Sequence, residues 1–172
     1  IERIEAALPY PLFVKPANLG SSLGISKVSG REALAPALTL AAEFDRRIVV
    51  ECAVPNAREI ECAVLGNSSP DASLPGEIVP SREFYDYEAK YHANDTRYLC
   101  PCGLPEAQEL ALRNLVCQAF AAVDGSGWGR VDLMIDDQQR PWLLEVNTVP
   151  GMTDHSLVPM AARVAGLSFE EL

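Results

Sequence analysis

The amino-acid sequence predicts an α+β fold with mostly antiparallel sheets. Strands and helices follow one another in blocks, as strands, helix, strands, helix, strands and helix, rather than in strict alternation. β-Branched strands flank the short connection Pro55-Asn56-Ala57, and a second strand pair flanks a five-residue turn. The composition is that of a globular chain with a core, since 48% of the 172 residues are hydrophobic and 22% are charged.

The first half of the chain predicts four strands and one helix. The helix spans 29–45, where alanine and leucine dominate, with Ser29 as N-cap and Pro36 as an interruption. The strands are short apolar or β-branched runs next to turn residues. They span 11–15, 23–28, 46–54 and 58–66.

The second half predicts two helices, three strands and two loops. The helix with the clearest pattern spans 105–124, with Pro105 at its start and Glu106 and Glu109 in its first turn. The segment 81–97 is polar and rich in aromatic residues, so we interpret it as a long ordered loop with a function. The remaining elements are a loop at 67–76, strands at 77–80, 128–135 and 141–147, and a final helix at 157–166.

Charge and hydropathy exclude several classes of protein. The net charge of −10 argues against a general nucleic-acid or anionic-membrane surface. No apolar run approaches the roughly 20 residues of a membrane-spanning helix, and no secretion signal is visible. The five cysteines lack zinc-site spacing, which favours reduced thiols and a cytoplasmic location. Because the chain begins at Ile1, we expect a processed product or a piece of something longer.

The predicted hairpin 127–147 carries polar residues within apolar strands. If it closes symmetrically about Gln138 and Gln139, Asp132 lies opposite Glu145 and Arg130 lies opposite Asn147. Side chains alternate along a strand with period two, so all four would share one face.

Two carboxylates in opposite positions lie close enough to repel each other. Together with an amide oxygen they form the hard oxygen donor set that Mg²⁺ prefers, and an arginine beside them suits an anion. A solvated polar face on an edge hairpin would give the same pattern. A one-residue change in loop length would also place Asp132 on the other face.

Two of the three lysines lie beside predicted loops. Lys15 ends a buried strand before the turn Gly20-Ser21-Ser22, which could bind an anion through backbone N–H groups and hydroxyls. The lysine precedes the glycine, so this is not a P-loop. Lys90 lies in the aromatic loop. An ordinary hairpin turn and a solvent-exposed lysine explain either feature taken alone.

Four segments together carry a resemblance to a known family. "FVKP…GSSLG", "YDYEAKY", "GWGRVDLM" and "LLEVNTVPGMTDHSLVP" resemble the D-alanine–D-alanine ligases of the ATP-grasp superfamily, from about residue 10 to the end of the chain. The acidic hairpin alone indicates only ATP-grasp, and the loop and tail motifs narrow the resemblance to the ligases.

The resemblance implies ATP-dependent joining of two D-alanines for peptidoglycan precursor synthesis. ATP would phosphorylate the first carboxylate, and the amine of the second D-alanine would attack the acylphosphate. Asp132, Glu145 and Asn147 would hold two Mg²⁺ ions, with Mn²⁺ as an alternative. Arg130 and the backbone N–H of Gly151 would stabilise the oxyanion.

The resemblance also implies residues that bind ATP and the two substrates. Ser21 and Tyr91 would lie near the first D-alanine, and Tyr91 favours the dipeptide product. Ser156 and Leu157 would hold the carboxylate of the second D-alanine. The ATP-binding residues would be Lys15 and Lys90 at the phosphates, Glu51 and Val54 at the adenine edge, Phe84 and Leu144 around its ring, and Glu59 at the ribose.

The resemblance assigns residues 1–54 to part of the ATP-grasp small lobe and hinge. It assigns 55–172 to the large lobe, with substrate loop 81–97 and acidic hairpin 127–147. Family members also carry an N-terminal domain and a further phosphate-binding lysine in the small lobe. We therefore expect an incomplete small lobe, little activity of these 172 residues alone, and a homodimer at full length. The alternatives are a non-catalytic nucleotide-binding module and another ATP-grasp carboxylate–amine ligase.

Overall fold

The computed structural model describes residues 1–79, 96–153 and 156–172. The described chain divides into two compact units, Ile1–Val54 and a second that comprises Pro55–Val79 and Arg97–Leu172. The helices are α1 (Glu2–Glu5), α2 (Arg31–Phe44), α3 (Glu106–Ala122) and α4 (Leu157–Val164). The strands are β1 (Leu12–Pro16), β2 (Ser26–Val28), β3 (Ile48–Cys52), β4 (Arg58–Gly66), β5 (Asp71–Ala72), β6 (Gly76–Val79), β7 (Arg97–Leu99), β8 (Gly127–Ile135) and β9 (Pro141–Asn147).

The first unit is a three-stranded antiparallel sheet in the order β2-β1-β3, with α2 packed on one side. Strand β1 alternates buried and half-buried residues, as expected for a central strand with one face on a core. The fully buried side chains of this core come from two strands and from the inner face of α2. They are Leu12, Val14, Val28, Leu34 and Ala41.

Helix α2 differs from its prediction at both features named in the sequence. It begins after Gly30 without a side-chain cap, so the prediction that Ser29 caps it is wrong. The helix also continues through Pro36 instead of stopping there. A proline removes one backbone donor, and burial of Leu34 and Ala37 on either side holds the helix together across it.

The second unit is a larger antiparallel sheet in the order β7-β6-β4-β8-β9, with β5 beside β4. Every strand pair in the described residues is antiparallel, as the sequence predicts. Helix α3 covers one face, where Phe120 is completely buried and Val116 and Leu112 pack on β4 and β8. The opposite face of β8 carries the polar residues of the hairpin.

Three short elements escape the sequence patterns. Helix α1 has four residues, β5 has two and β7 has three, which is below the length at which a period can be recognised. The prediction of a plain loop at 67–76 is therefore wrong at Asp71–Ala72, which pairs with β4. The loop predicted at 81–97 ends earlier, because Arg97 begins β7, and its residues 81–95 lie outside the described residues.

The register of the β8–β9 hairpin agrees with the prediction where the polar residues lie. Asp132 pairs with Glu145, and Arg130 pairs with Asn147. Beyond Asp132 the register shifts by one residue, so Leu133 pairs with Leu143 and Leu144 becomes the extra residue of a bulge. Symmetric closure about Gln138 and Gln139 is therefore wrong, although the polar pairs are as predicted.

Candidate functional site

A row of three carboxylates crosses the large sheet. Asp132 on β8 pairs with Glu61 on β4 on one side and with Glu145 on β9 on the other. Directly opposite residues of antiparallel strands project from the same face, so the three acids are neighbours. Glu61 and Asp132 keep only 12% and 13% of their side-chain surface exposed, whereas Glu145 is exposed.

Arg130 brings one positive charge into this row of three carboxylates. Its Nε lies 2.7 Å from Asp132 Oδ1 and its Nη2 lies 2.7 Å from Asp132 Oδ2, which makes a two-pronged ion pair. The same Nη2 lies 3.2 Å from Glu61 Oε1. Burial opposes the charge on Arg130, but the bonds to Asp132 and the charges of Glu61, Asp132 and Glu145 raise its pKa above the ordinary arginine value.

Asn147 connects the two carboxylates of the hairpin. Its Nδ2 donates to Asp132 Oδ2 at 2.9 Å and to Glu145 Oε1 at 3.3 Å. This bridge holds two like charges close together, which is unfavourable without a further cation. One face thus gathers two carboxylates and an amide at its edge.

The turn of the hairpin is fixed by Asp136, which the sequence reading did not single out. Its carboxylate accepts hydrogen bonds from Trp142 Nε1 at 3.0 Å, from Arg140 Nε at 2.8 Å, and from the backbone N–H groups of Arg140 and Gln138. Burial works against ionisation, yet the bonds from Trp142 and Arg140 prevail and lower the pKa of Asp136 to about 2. The ionised carboxylate therefore stabilises the turn, next to which Ile135 pairs with Pro141.

In the first unit, two residues predicted to bind ATP contact each other. Lys15 Nζ lies 2.6 Å from Glu51 Oε1, on the adjacent strands β1 and β3. Both side chains are partly exposed, so each can exchange this partner for a ligand at little cost. Val54 follows β3 and is half-buried.

Ser21 lies in a strained turn between β1 and β2. Ser21 and Ser22 have φ angles of 54° and 58°, a left-handed conformation that residues with a Cβ adopt rarely. The turn is closed by a 3.2 Å bond from Leu23 N–H to the Gly20 carbonyl. Strained backbone of this kind is frequent at ligand sites, and the role of Ser21 near the first D-alanine stays a prediction.

The segment before α4 brings Gly151 and Ser156 together. Ser156 Oγ accepts a hydrogen bond from Thr153 N–H at 3.0 Å, and a Cβ on Gly151 would lie 3.1 Å from that oxygen. Leu157 is buried and packs against Gly76 of β6, where a Cβ would collide with its side chain. Packing at Gly76 therefore positions the first turn of α4.

The other predicted residues are not brought into one described group. Glu59 is half-buried on β4, two residues from Glu61 and on the same face. Leu144 is the bulge residue of β9 and is about half exposed. Phe84, Lys90 and Tyr91 lie outside the described residues.

Glu61 is the site residue that the sequence reading missed. It alternates with Glu59 along β4, which marks a polar face, but its proximity to Asp132 follows only from the pairing of β4 with β8. Seventy residues separate these two acids in sequence, so no local pattern joins them. Among the described residues, no three His, Cys, Asp or Glu side chains converge into a metal-binding group. The described helices also include none long and apolar enough to cross a membrane.

Comparison with solved structures defines the class of the protein. The chain superimposes on the VanG D-Ala:D-Ser ligase of Enterococcus faecalis with a TM-score of 0.88, at 36% identity, covering 99% of this chain and 49% of that one. It superimposes on the D-alanine-D-alanine ligase of Coxiella burnetii with a TM-score of 0.80, at 33% identity, covering 97% and 43%. The fold is therefore the ATP-grasp fold of the D-alanine ligases, as predicted.

The family follows from the sequence comparisons. The model of the D-ala D-ala ligase C-terminus family matches residues 1–172, and the chain belongs to this family. Proteins named D-alanine--D-alanine ligase are 51% identical in Hydrogenovibrio crunogenus, over 96% of this chain and 51% of that protein, and 54% identical in Nitrosococcus oceani, over 98% and 52%. The chain thus spans about half the length of the curated relatives it matches.

Proposed function

We propose that the protein containing this chain joins two D-alanines in an ATP- and Mg²⁺-dependent reaction that supplies a peptidoglycan precursor. The observation that carries the proposal is the register that sets Asp132, Glu145, Asn147 and Arg130 side by side, in a chain of the ligase family. We further propose a cytoplasmic homodimer. The names of the relatives support the ligase reaction, but they do not describe a homodimer.

The donor set fits magnesium. Asp132 and Glu145 would provide carboxylate oxygens and Asn147 an amide oxygen for two Mg²⁺ ions, which Mn²⁺ could replace. Mg²⁺ is usually bound by one or two protein carboxylates with water and substrate phosphates filling the other positions, so two acids and one amide suffice. When bound, the metal ions would neutralise the charge that builds up on the ATP phosphates.

The ATP-binding roles rest on the resemblance to the ligase family. Lys15 would contact a phosphate once its bond to Glu51 is exchanged, and Glu51 would turn to the adenine edge beside Val54. Glu59 would bind the ribose hydroxyls and Leu144 the ring. We also assign Lys90 to the phosphates and Phe84 to the ring, on the resemblance alone.

The two amino-acid substrates would lie next to the proposed metal-binding residues. Arg130 and the Gly151 N–H would stabilise the oxyanion that forms when the amine attacks. Ser156 and the backbone of Leu157 would bind the carboxylate of the second D-alanine at the N-terminus of α4. Ser21 and Tyr91 would lie near the first D-alanine.

The test is turnover of the whole gene product with ATP, Mg²⁺ and D-alanine, followed by ADP release and by identification of the dipeptide. Asp132→Asn should abolish turnover and weaken Mg²⁺-dependent nucleotide binding. D-serine serves as a competing amine, because one structural relative is named for it. Nucleotide binding without any product would favour a non-catalytic nucleotide-binding module, and product only from another amine would favour a different carboxylate–amine ligase.

A further inference from the structure

Glu61 lies in the polar row but has no role in the proposed ligand set. It is on β4, opposite Asp132, with 12% of its side chain exposed. Burial of a carboxylate at such a position is unfavourable unless a cation compensates it. The compensating cation is Arg130, whose Nη2 lies 3.2 Å from Glu61 Oε1.

Arg130 is thus shared between two carboxylates that lie on different strands. Asp132 holds it with two short bonds along β8, and Glu61 holds it from β4. Strand β8 lies between β4 and β9. Glu61 and Glu145 therefore flank Asp132 from opposite sides of the row.

The proposed binding of a divalent cation by Asp132 competes with the ion pair between Asp132 and Arg130. In the structure both carboxylate oxygens of Asp132 accept bonds from Arg130, and Oδ2 also accepts one from Asn147. If Asp132 bound a divalent cation from the β9 side, its oxygens would be lost to the guanidinium of Arg130. Arg130 then needs another anion to remain in place, and Glu61 is already in contact with it.

We propose that Glu61 is a positioning residue that retains Arg130 at the reaction centre while Asp132 binds the divalent cation. The row is then divided by function, with Asp132, Glu145 and Asn147 on the metal side and Glu61 on the arginine side. This inference rests on the proposed function, since it presumes that Asp132 binds metal.

The experiment uses the whole gene product and the Mg²⁺ concentration at which binding of a non-hydrolysable ATP analogue is half-maximal, measured by calorimetry. Glu61→Gln keeps the shape and removes the charge, so Arg130 loses the ion pair with Glu61 and keeps that with Asp132. The half-maximal Mg²⁺ concentration should rise on the order of tenfold, the size expected for one charge-assisted hydrogen bond. In turnover, kcat should fall similarly while the KM for ATP at saturating Mg²⁺ changes little.

Glu77→Gln is the matched control. Glu77 is a similarly buried acid of the same sheet, 13% exposed, with bonds of 3.0 Å and 2.7 Å to Arg58. It pairs with Ile60, next to Glu61, and so projects from the opposite face. Its variant should lose a comparable ion pair yet keep the wild-type Mg²⁺ requirement and kcat.

A double variant separates positioning from simple electrostatic attraction of Mg²⁺. In an Arg130→Met background, Glu61→Gln should change the half-maximal Mg²⁺ concentration less than twofold, because there is no arginine left to retain. An undiminished tenfold effect in that background would overturn the proposal. The proposal would also be overturned if Glu61→Gln had the same half-maximal Mg²⁺ concentration as the wild type.

Glu61→Asp covers the case in which Glu61→Gln does not fold. It keeps the charge with a shorter reach, and it should stay within about threefold of wild type, a loss smaller than that of a whole charge-assisted bond. A shift as large as tenfold in Glu61→Asp would contradict a role of the charge. If wild type itself shows no Mg²⁺-dependent nucleotide binding, the proposed function fails and this inference fails with it. Wild-type binding with no effect of Glu61 overturns the inference alone.

Discussion

The carboxylate of Glu145 should lower stability without metal and raise it with metal. It lies opposite Asp132 on the exposed edge strand β9, and Asn147 bridges the two acids. Replacing Glu145 with Gln removes one like charge and keeps an oxygen that can accept the Asn147 bond. We therefore expect a gain in the free energy of unfolding in EDTA and a loss when Mg²⁺ and nucleotide are bound.

The structure sets the size of the repulsion. The bonds from Asn147, 2.9 Å and 3.3 Å long, place the two carboxylate oxygens no more than about 6 Å apart. Two unit charges at about 6 Å repel by about 0.7 kcal/mol in bulk water and by about 2.8 kcal/mol at an effective dielectric constant of about 20. Glu145 is exposed and Arg130 already balances Asp132, so the smaller value applies. Glu145→Gln should raise the free energy of unfolding by about 0.5 kcal/mol without metal.

Bound Mg²⁺-nucleotide should make the wild type more stable than Glu145→Gln. At a nucleotide concentration of about 100 times Kd, Mg²⁺-nucleotide adds about 2.7 kcal/mol to the wild type, whereas a tenfold weaker Kd leaves about 1.4 kcal/mol. The variant thus loses about 1.3 kcal/mol of stabilisation by the ligand. It gains about 0.5 kcal/mol from the relieved repulsion, so the wild type should be the more stable protein by about 0.8 kcal/mol.

Urea denaturation of the whole gene product, in EDTA and in Mg²⁺ with a non-hydrolysable ATP analogue, measures both effects. Asp137→Asn is the control, because Asp137 is an exposed acid in the turn of the same hairpin and has no acid paired with it. It should leave the gain from Mg²⁺-nucleotide unchanged. The reasoning is refuted if Glu145→Gln is less stable than wild type in EDTA, or if it keeps the full gain from Mg²⁺-nucleotide.

Three further predictions concern the residues that hold the site in place. Since the pKa of Asp136 is lowered to about 2 from an ordinary 3.8, its contribution to stability is present above about pH 4 and is lost as pH falls towards 2. In urea denaturation at a series of pH values, the free energy of unfolding should fall less in this window for Asp136→Asn than for the wild type. An identical dependence on pH would contradict the role of the Asp136 carboxylate. Gly76→Ala should lower the free energy of unfolding by about 1–3 kcal/mol, because its Cβ overpacks against the buried Leu157. It should also raise the KM for the second D-alanine, and an unchanged KM would contradict a role of this packing in substrate binding. Gly129→Ala places a Cβ 2.7 Å from a ring carbon of Phe120, so a similar loss of about 1–3 kcal/mol is expected in urea, and an unchanged midpoint would contradict it.

The polar pairs of the hairpin were predicted correctly, although its turn was not. The pairs of Arg130 with Asn147 and of Asp132 with Glu145 followed from a turn centred between Gln138 and Gln139, which the structure does not have. The observed turn pairs Ile135 with Pro141, which without a bulge would place Asp132 opposite Leu144, and no local pattern in the sequence marks the bulge at Leu144. The bulge shifts the register by one residue and so restores the pair of Asp132 with Glu145.

Non-local information was needed for the rest. Glu61 joins the row only because β4 pairs with β8, and pairing between distant strands has no signature in a local pattern. The bond between Lys15 and Glu51 likewise follows from the pairing of β1 with β3. The roles of Lys15 and Glu51 in ATP binding stay predictions, as do those of Phe84, Lys90 and Tyr91.

The most direct test of the metal assignment is anomalous diffraction from crystals of the whole gene product grown with Mn²⁺ and a non-hydrolysable ATP analogue. Mn²⁺ shares the preference of Mg²⁺ for carboxylate and carbonyl oxygens, and its anomalous signal identifies it. We predict anomalous peaks within bonding distance of Asp132, Glu145 and Asn147, with Arg130 turned from Asp132 towards Glu61. The metal assignment would be contradicted if the nucleotide were bound with no peak at these residues and with Arg130 still paired to both oxygens of Asp132.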